Sequence, residues 1–304
     1  MKADIKAKIA FLGGDMRASV AVKCVADGEW YVQTWRVPEC ETNDNITVCD
    51  SMYKAIAEAK AIVLPLPASS DGITLNCQTE NSEIKTPLTL IADAITSDTV
   101  IIGGKLPASF VNYAQSKGIR TFDYFESEAF QIKNAYTTAE AALNIAMNNL
   151  GKNINEAKMA VSGYGRIGKQ LVHLLRVLGA EVSVLARKES DLTWAEIEGC
   201  NSLRLRQDKG NKEAIMSLTK GYDVIFNTVP HWLFDESFLR EVDKKTLIID
   251  LASAPGGVDI SVAKKLRSNV LWASSLPGKY APESAGKLIS DCIIDILTEE
   301  VGSK

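Results

Sequence analysis

Histidine is scarce in this 304-residue sequence, with only His173 and His231, and the six cysteines (Cys24, Cys40, Cys49, Cys77, Cys200, Cys292) include no Cys-x-x-Cys pair. That scatter excludes a zinc ribbon or a disulfide framework and fits reduced, mostly buried thiols. No dense basic stripe is present and the net charge is -4, so a nucleic-acid partner is excluded. No apolar run is long enough to cross a bilayer, and the opening Met1-Lys2-Ala3-Asp4-Ile5-Lys6 lacks the pattern of a signal peptide. A soluble, cytoplasmic protein is expected, with no membrane contact. Repeats and low-complexity tracts are also missing. What remains is ordinary globular material, 46% hydrophobic and 24% charged, long enough for two domains.

The most informative stretch is Lys158-Met159-Ala160-Val161-Ser162-Gly163-Tyr164-Gly165-Arg166-Ile167-Gly168. It reads as an apolar strand, a G-x-G-x-x-G turn, and an amphipathic helix carrying Ile167, Leu171, Leu174, Leu175 and Leu178. Glu181 to Ala186 follows as the next strand. In such a unit Gly163 permits the turn, Gly165 lets the backbone approach a pyrophosphate, and Gly168 lets the helix pack close. The N–H groups at the helix start then face the phosphates. The second strand ends in Ala186-Arg187-Lys188, with Ser190 just beyond, where NAD-binding units usually place an acid. A basic end suits a ribose 2′-phosphate, because the arginine fork matches phosphate oxygens. NADP is therefore the expected coenzyme.

Strands are expected at Lys8–Leu12, Ala61–Pro65, Thr99–Gly104 and Lys117–Phe122, then at Leu203–Leu205, Asp223–Phe226, Thr246–Asp250 and Val270–Ala273. Helical segments between them imply parallel sheets covered on both faces. A helix over Thr137–Leu150, capped by Thr137 or Thr138, is expected to bridge the domains. The last helix, from Pro282, is expected to cross back onto the first domain. The expected division is residues 1–133 plus 279–304 for a substrate domain and 134–278 for the nucleotide domain.

Ligands in such sheets sit beyond the carboxyl ends of the strands. Asn227, Thr228, Val229 and Pro230 follow one strand there, as do Asp250 and Ser253 after the next, and all are expected at the coenzyme. His231 is a candidate proton acceptor, and equally a half-exposed residue at a helix start; His173 reads as structural. In the first domain Ser69 and Ser70 offer hydroxyls to a small anion. Lys105 offers a cation at a strand end and Lys279 another at the start of the segment that crosses back, although each alone is an ordinary surface charge.

These motifs together resemble the dipicolinate synthase A-subunit family nearly end to end. The likeness is carried by Gly13-Gly14-Asp15-x-Arg17, Leu64 to Gly72, Thr138-x-Glu140, Gly163-x-Gly165-Arg166-x-Gly168, Ala186-Arg187 and Asn227-Thr228-x-Pro230. It continues through Asp250-Leu251-Ala252-Ser253-x-Pro255-Gly256-Gly257 and Leu276-Pro277-Gly278-Lys279-x-Ala281-Pro282. Thr137 and Ala141 depart from the family's usual Pro and Gly on the bridging helix. The resemblance implies two Rossmann-type, doubly wound parallel-sheet domains joined by a long helix, in an arrangement like the D-2-hydroxyacid dehydrogenases. It implies NADP-dependent oxidation of a dihydrodipicolinate to dipicolinate during sporulation. It also implies a flavoprotein-like partner, the B-subunit of dipicolinate synthase. A dicarboxylate substrate would suit Arg17, Ser69, Ser70, Lys105 and Lys279. The oligomeric state is left open. Two alternatives stand beside this reading: a non-catalytic NADP-binding partner of a flavoprotein, and an oxidoreductase of the D-2-hydroxyacid type. The latter would need an Arg after the strand at Leu247–Asp250 and a His within Trp272–Gly278, and neither is present.

Overall fold

The computed structural model describes residues 7–28, 30–78, 85–205 and 211–302. The chain divides into two compact units, Met1–Asn134 with Ala281–Lys304, and Ala135–Tyr280. In the first, β1 (Lys8–Leu12), α1 (Met16–Ala26), β2 (Tyr31–Trp35), β3 (Ile46–Val48), α2 (Met52–Ile56) and β4 (Ala61–Val63) come in order. Then follow α3 (Leu88–Asp93), β5 (Val100–Gly103), α4 (Ala108–Ser116), β6 (Thr121–Asp123) and the start of α5 (Glu128–Asn149). The second unit takes up the rest of α5, then β7 (Lys158–Ser162), α6 (Arg166–Val177), β8 (Glu181–Ala186), α7 (Glu189–Ile197) and β9 (Asn201–Arg204). It closes with α8 (Asn211–Met216), β10 (Val224–Asn227), α9 (Glu236–Glu241), β11 (Leu247–Asp250), α10 (Ile260–Leu266), β12 (Val270–Trp272) and α11 (Leu276–Tyr280). Helix α12 (Pro282–Glu300) belongs to the first unit.

Each unit holds a six-stranded sheet, ordered β3-β2-β1-β4-β5-β6 and β9-β8-β7-β10-β11-β12, and every paired strand runs parallel. Both faces are covered, which is why the central strands read as continuous apolar runs. In β1, Ile9 and Phe11 enter one core with Ala21, Val22 and Val25 of α1, while Ala10 and Leu12 enter another with Met52 and Ile91. In β7, Met159 and Val161 meet Leu171, Val172 and Leu175 of α6, and Ala160 joins Phe234 and Phe238 below. Full burial of each Leu or Phe contributes about 1.5–3 kcal/mol, so these layers dominate the stability. Helix α12 packs on α1 through Ile289, Ile293 and Leu297. Gly286 makes the approach possible: a Cβ there would lie 2.5 Å from Val20 Cβ.

The expected Rossmann-type architecture is the one observed, with local corrections. Strands β2 and β3 are additions to the expected elements. The bridging helix begins at Glu128 instead of Thr137; Ser127 Oγ accepts from Phe130 N–H at its start, so Thr137 and Thr138 are interior. The strand expected over Lys117–Phe122 is only β6, because Gly118, at φ +74, closes α4 with a left-handed residue first.

Candidate functional site

The G-x-G-x-x-G segment folds as its spacing requires. Gly163 sits at φ +93, where a Cβ would lie 2.4 Å from Thr228 Oγ1. At Gly168 a Cβ would lie 2.2 Å from the carbonyl oxygen of Gly163, so the helix can approach the turn only without a side chain. Gly165 is different: it is the exposed N-cap of α6, with nothing within 4 Å of a built Cβ and no side-chain cap on the helix. The positive end of α6 therefore opens onto space, and Arg166 and Ile167 supply N–H groups of its first turn. That space is a cleft of about 690 Å³, inside the range of about 300–1,000 Å³ usual for small-molecule sites.

Of the expected coenzyme residues, Gly163, Gly165, Arg187, Lys188, Thr228, Val229 and Pro230 all line this cleft, and so does His231. Arg187 and Lys188 are exposed and carry no ion pair among the described residues, whereas the neighbouring Glu189 carboxylate pairs with Arg204. Tyr164, Leu185, Ala186, Asp191, Leu205 and Leu233 complete the wall. Tyr164 is buried although it sits between the two turn glycines, and burial is the main cause pushing its hydroxyl pKa up. Asp191 stands four residues past Arg187, a spacing visible in the sequence once a helix is placed at Glu189.

Asn227 and Asp250, expected at the coenzyme, are both 0% exposed, and their side chains are paired inside the protein. Asp250 Oδ1 accepts from Asn227 Nδ2 at 2.7 Å and from Ala252 N–H; Oδ2 accepts from Gly257 N–H at 2.8 Å and from Val258 N–H. Asn227 in turn brackets Val229, donating to its carbonyl at 3.0 Å and accepting from its N–H at 3.2 Å. Gly257 O then accepts from Leu233 N–H and Phe234 N–H. The pair braces the wall from beneath, a role that strand-end position alone does not reveal. Ser253 is exposed in the turn above, and Lys279 is exposed on α11; neither lines the cleft.

In the first unit the strand ends bring Arg17, Ser69 and Lys105 onto one connected set of loops. Arg17 Nη2 donates to Leu66 O, and Ala68 N–H donates to Gly104 O at 2.8 Å. Yet Arg17 is 7% exposed and already gripped by Asp15, with Nη2–Oδ2 at 2.7 Å and Nε–Oδ1 at 3.0 Å. Ser69 likewise donates to Asp71 Oδ1 at 2.9 Å. Asp71 also accepts from the Thr74 N–H and hydroxyl and from Ile73 N–H, and these donors hold its carboxyl far below the ordinary range. The loop expected to cradle an anion thus encloses a carboxylate of its own, and Ser69 and Arg17 each already have an acid partner. Ser70 is exposed beside it. Lys105 takes a left-handed conformation, φ +51, held because its N–H and that of Leu106 both donate to Asp123. Its ammonium lies 4.5 Å from the Phe125 ring centroid, a cation–π distance.

Among the described residues no cluster of metal ligands occurs, and no helix is long and apolar enough to cross a membrane. Comparison with known proteins adds a similarity. Residues 8–125 match the family model for the N-terminal domain of the dipicolinate synthase A-subunit. The chain is 27% identical over 293 residues to the dipicolinate synthase A-subunit of Bacillus subtilis (strain 168), covering 96% of each. The crystal structure of the A-subunit from Bacillus halodurans is similar at a TM-score of 0.82 and 23% identity, covering 96% of this chain and 97% of the other. The crystal structure of the Bacillus subtilis A-subunit gives 0.81 and 26%, covering 99% and 98%. Motifs, sheet order and likeness over almost the whole length converge on one similarity, to the dipicolinate synthase A-subunit, and residues 8–125 match the model of that family's N-terminal domain.

Proposed function

We propose that this chain is an NADP-dependent oxidoreductase that converts a dihydrodipicolinate to dipicolinate, working with a second, flavoprotein-like polypeptide. The observation that carries the reading is the exposed, uncapped start of α6 at Gly165, facing a cleft whose far rim bears Arg187 and Lys188. A helix start left open by a glycine suits a pyrophosphate, and two cations outside any ion pair among the described residues suit a ribose phosphate. When bound there, NADP supplies the acceptor for a hydride; the products are dipicolinate, NADPH and a proton.

The chain's own part is positioning and charge. Thr228, Val229 and Pro230 present a braced wall to the coenzyme. His231, exposed on that wall, is the group we assign to take the released proton. For the substrate carboxylates Lys105 and Ser70 remain available as exposed donors in the first unit, whereas Arg17 and Ser69 shape the loop around Leu66. Aromatisation drives the transfer, so precise placement of a dianion is what the protein must add. The proposed domain roles follow: residues 1–133 with 279–304 for substrate, 134–278 for coenzyme.

The test is direct. Purified chain, with NADP and freshly prepared dihydrodipicolinate, should produce the ultraviolet absorbance of dipicolinate. Absorbance that appears only after the B-subunit is added would favour a nucleotide-binding component without chemistry of its own. Absence of NADP binding by calorimetry would remove the proposal altogether.

A further inference from the structure

The rim that carries Arg187 and Lys188 is not uniformly basic. Asp191, half-buried in the first turn of α7, lines the same cleft as Arg187 and Lys188. Glu189 is drawn off to Arg204, but Asp191 forms no ion pair among the described residues. It stands near enough to the glycine turn to help raise the Tyr164 hydroxyl pKa, after burial, Glu198 and Cys200. A carboxylate in the first turn of a helix is favourable in itself. One that also borders a cleft meets whatever occupies it.

The geometry points to Asp191 as a residue that sets coenzyme preference, opposing Arg187 and Lys188 across the adenosine ribose. The inference rests on the nucleotide reading of the cleft given above. The two nicotinamide coenzymes differ in one group, a neutral hydroxyl or a phosphate dianion. A carboxylate accepts from the hydroxyl and repels the phosphate, while Arg187 and Lys188 favour the phosphate. Cations alone would make the cleft strongly selective. With Asp191 present the margin narrows, and NAD becomes a competent second ligand.

Calorimetric titration of the whole chain with NADP, NAD, 2′,5′-ADP and 5′-ADP, at low and high salt, tests this. Asp191→Asn should tighten NADP and 2′,5′-ADP about fivefold and weaken NAD about twofold, moving the preference about tenfold toward the phosphate. The gain should shrink in high salt. Asp191→Glu, which keeps the charge, should hold the wild-type ratio, and circular dichroism should show both variants folded. Arg187→Ala should move the ratio the opposite way. If Asp191→Asn leaves the ratio unchanged while Arg187→Ala shifts it, the role given to Asp191 is wrong and the nucleotide site stands. If the wild-type chain binds none of the four ligands, both readings fall.

Discussion

The two sheets share one strand order, and the turn after the first strand of each has the same length, yet one turn is closed and the other open. After β1 come Gly13, Gly14 and Asp15, with Asp15 capping α1; after β7 come Gly163, Tyr164 and Gly165, with Gly165 at the N-cap position of α6 and no side chain to cap it. In the first, Asp15 accepts from Arg17 N–H at 3.0 Å and fills the positive end of the helix with its own carboxylate. Gly14 is buried, its N–H donating to Asn76 O and its carbonyl accepting from Gln78 N–H, so a neighbouring loop covers the turn. In the second the cap position has no side chain and faces the cleft. The same fold gives a closed turn or an open one according to what stands at one position and what lies over it.

That contrast can be broken in steps. The largest effect is expected from Gly168→Val, whose Cβ would meet backbone at 2.2 Å. Thermal unfolding should show the second unit losing more than about 4 kcal/mol, or no folded second unit at all. Next, Asp15→Gly removes the carboxylate paired with buried Arg17 and should cost about 3 kcal/mol in chemical denaturation. It should create no nucleotide site in the first unit, because the covering loop remains; a second binding event in calorimetry would show that the cap alone decides. The reciprocal change, Gly165→Asp, should leave the melting temperature within a few degrees. It should nevertheless weaken NADP about 100-fold, because the new carboxylate takes the place of the phosphate. Undiminished affinity would break the comparison at its centre. Arg187→Ala should weaken NADP about tenfold or more and barely touch NAD, measured by the same titration.

The smallest expected effect is alkaline. Burial, opposed in part by Lys23 in one case and Arg176 in the other, raises the thiols of Cys40 in the first unit and Cys200 in the second from 9.0 to about 11. The folded chain thus holds these protons more tightly than the unfolded one. Their contribution is complete below about pH 9 and declines as pH rises through 9 to 11. Denaturant midpoints measured from pH 8 to 11 should fall slightly, and Cys→Ala variants should flatten the curve.

How much of this the sequence discloses depends on how local each signal is. The unit from β7 to β8 is legible because its glycines and apolar spacing lie within about thirty residues, and because helix period and strand period differ visibly. Strand β2 escapes notice: Tyr31, Gln33 and Trp35 are only half-buried, so its sides alternate weakly in polarity. The start of α5 is hidden because Thr137, Thr138 and Glu140 imitate a cap inside a continuous helix, whereas the true signal is Ser127 three residues before Phe130. At the site, glycines declare themselves since backbone geometry demands them. The acid partners of Arg17 and Ser69, Asp15 and Asp71, stand only two residues away, yet side-chain capture leaves no periodic trace in a sequence. The pairing of Asp250 with Asn227 is hidden for the opposite reason: it joins separate strands, 23 positions apart.

The Asp250–Asn227 brace has a kinetic and entropic meaning for whatever enters the cleft. The segment through Val229 and Leu233 is fixed to the turn at Gly257 before any ligand arrives. Immobilising that stretch is therefore part of folding, and association need not order it again. Binding at this wall should resemble docking onto a rigid surface, with fast capture and little loss of chain freedom. An Asp250→Ala protein would instead meet its ligand with a loosened edge, and the penalty would emerge as slower association as well as lower affinity.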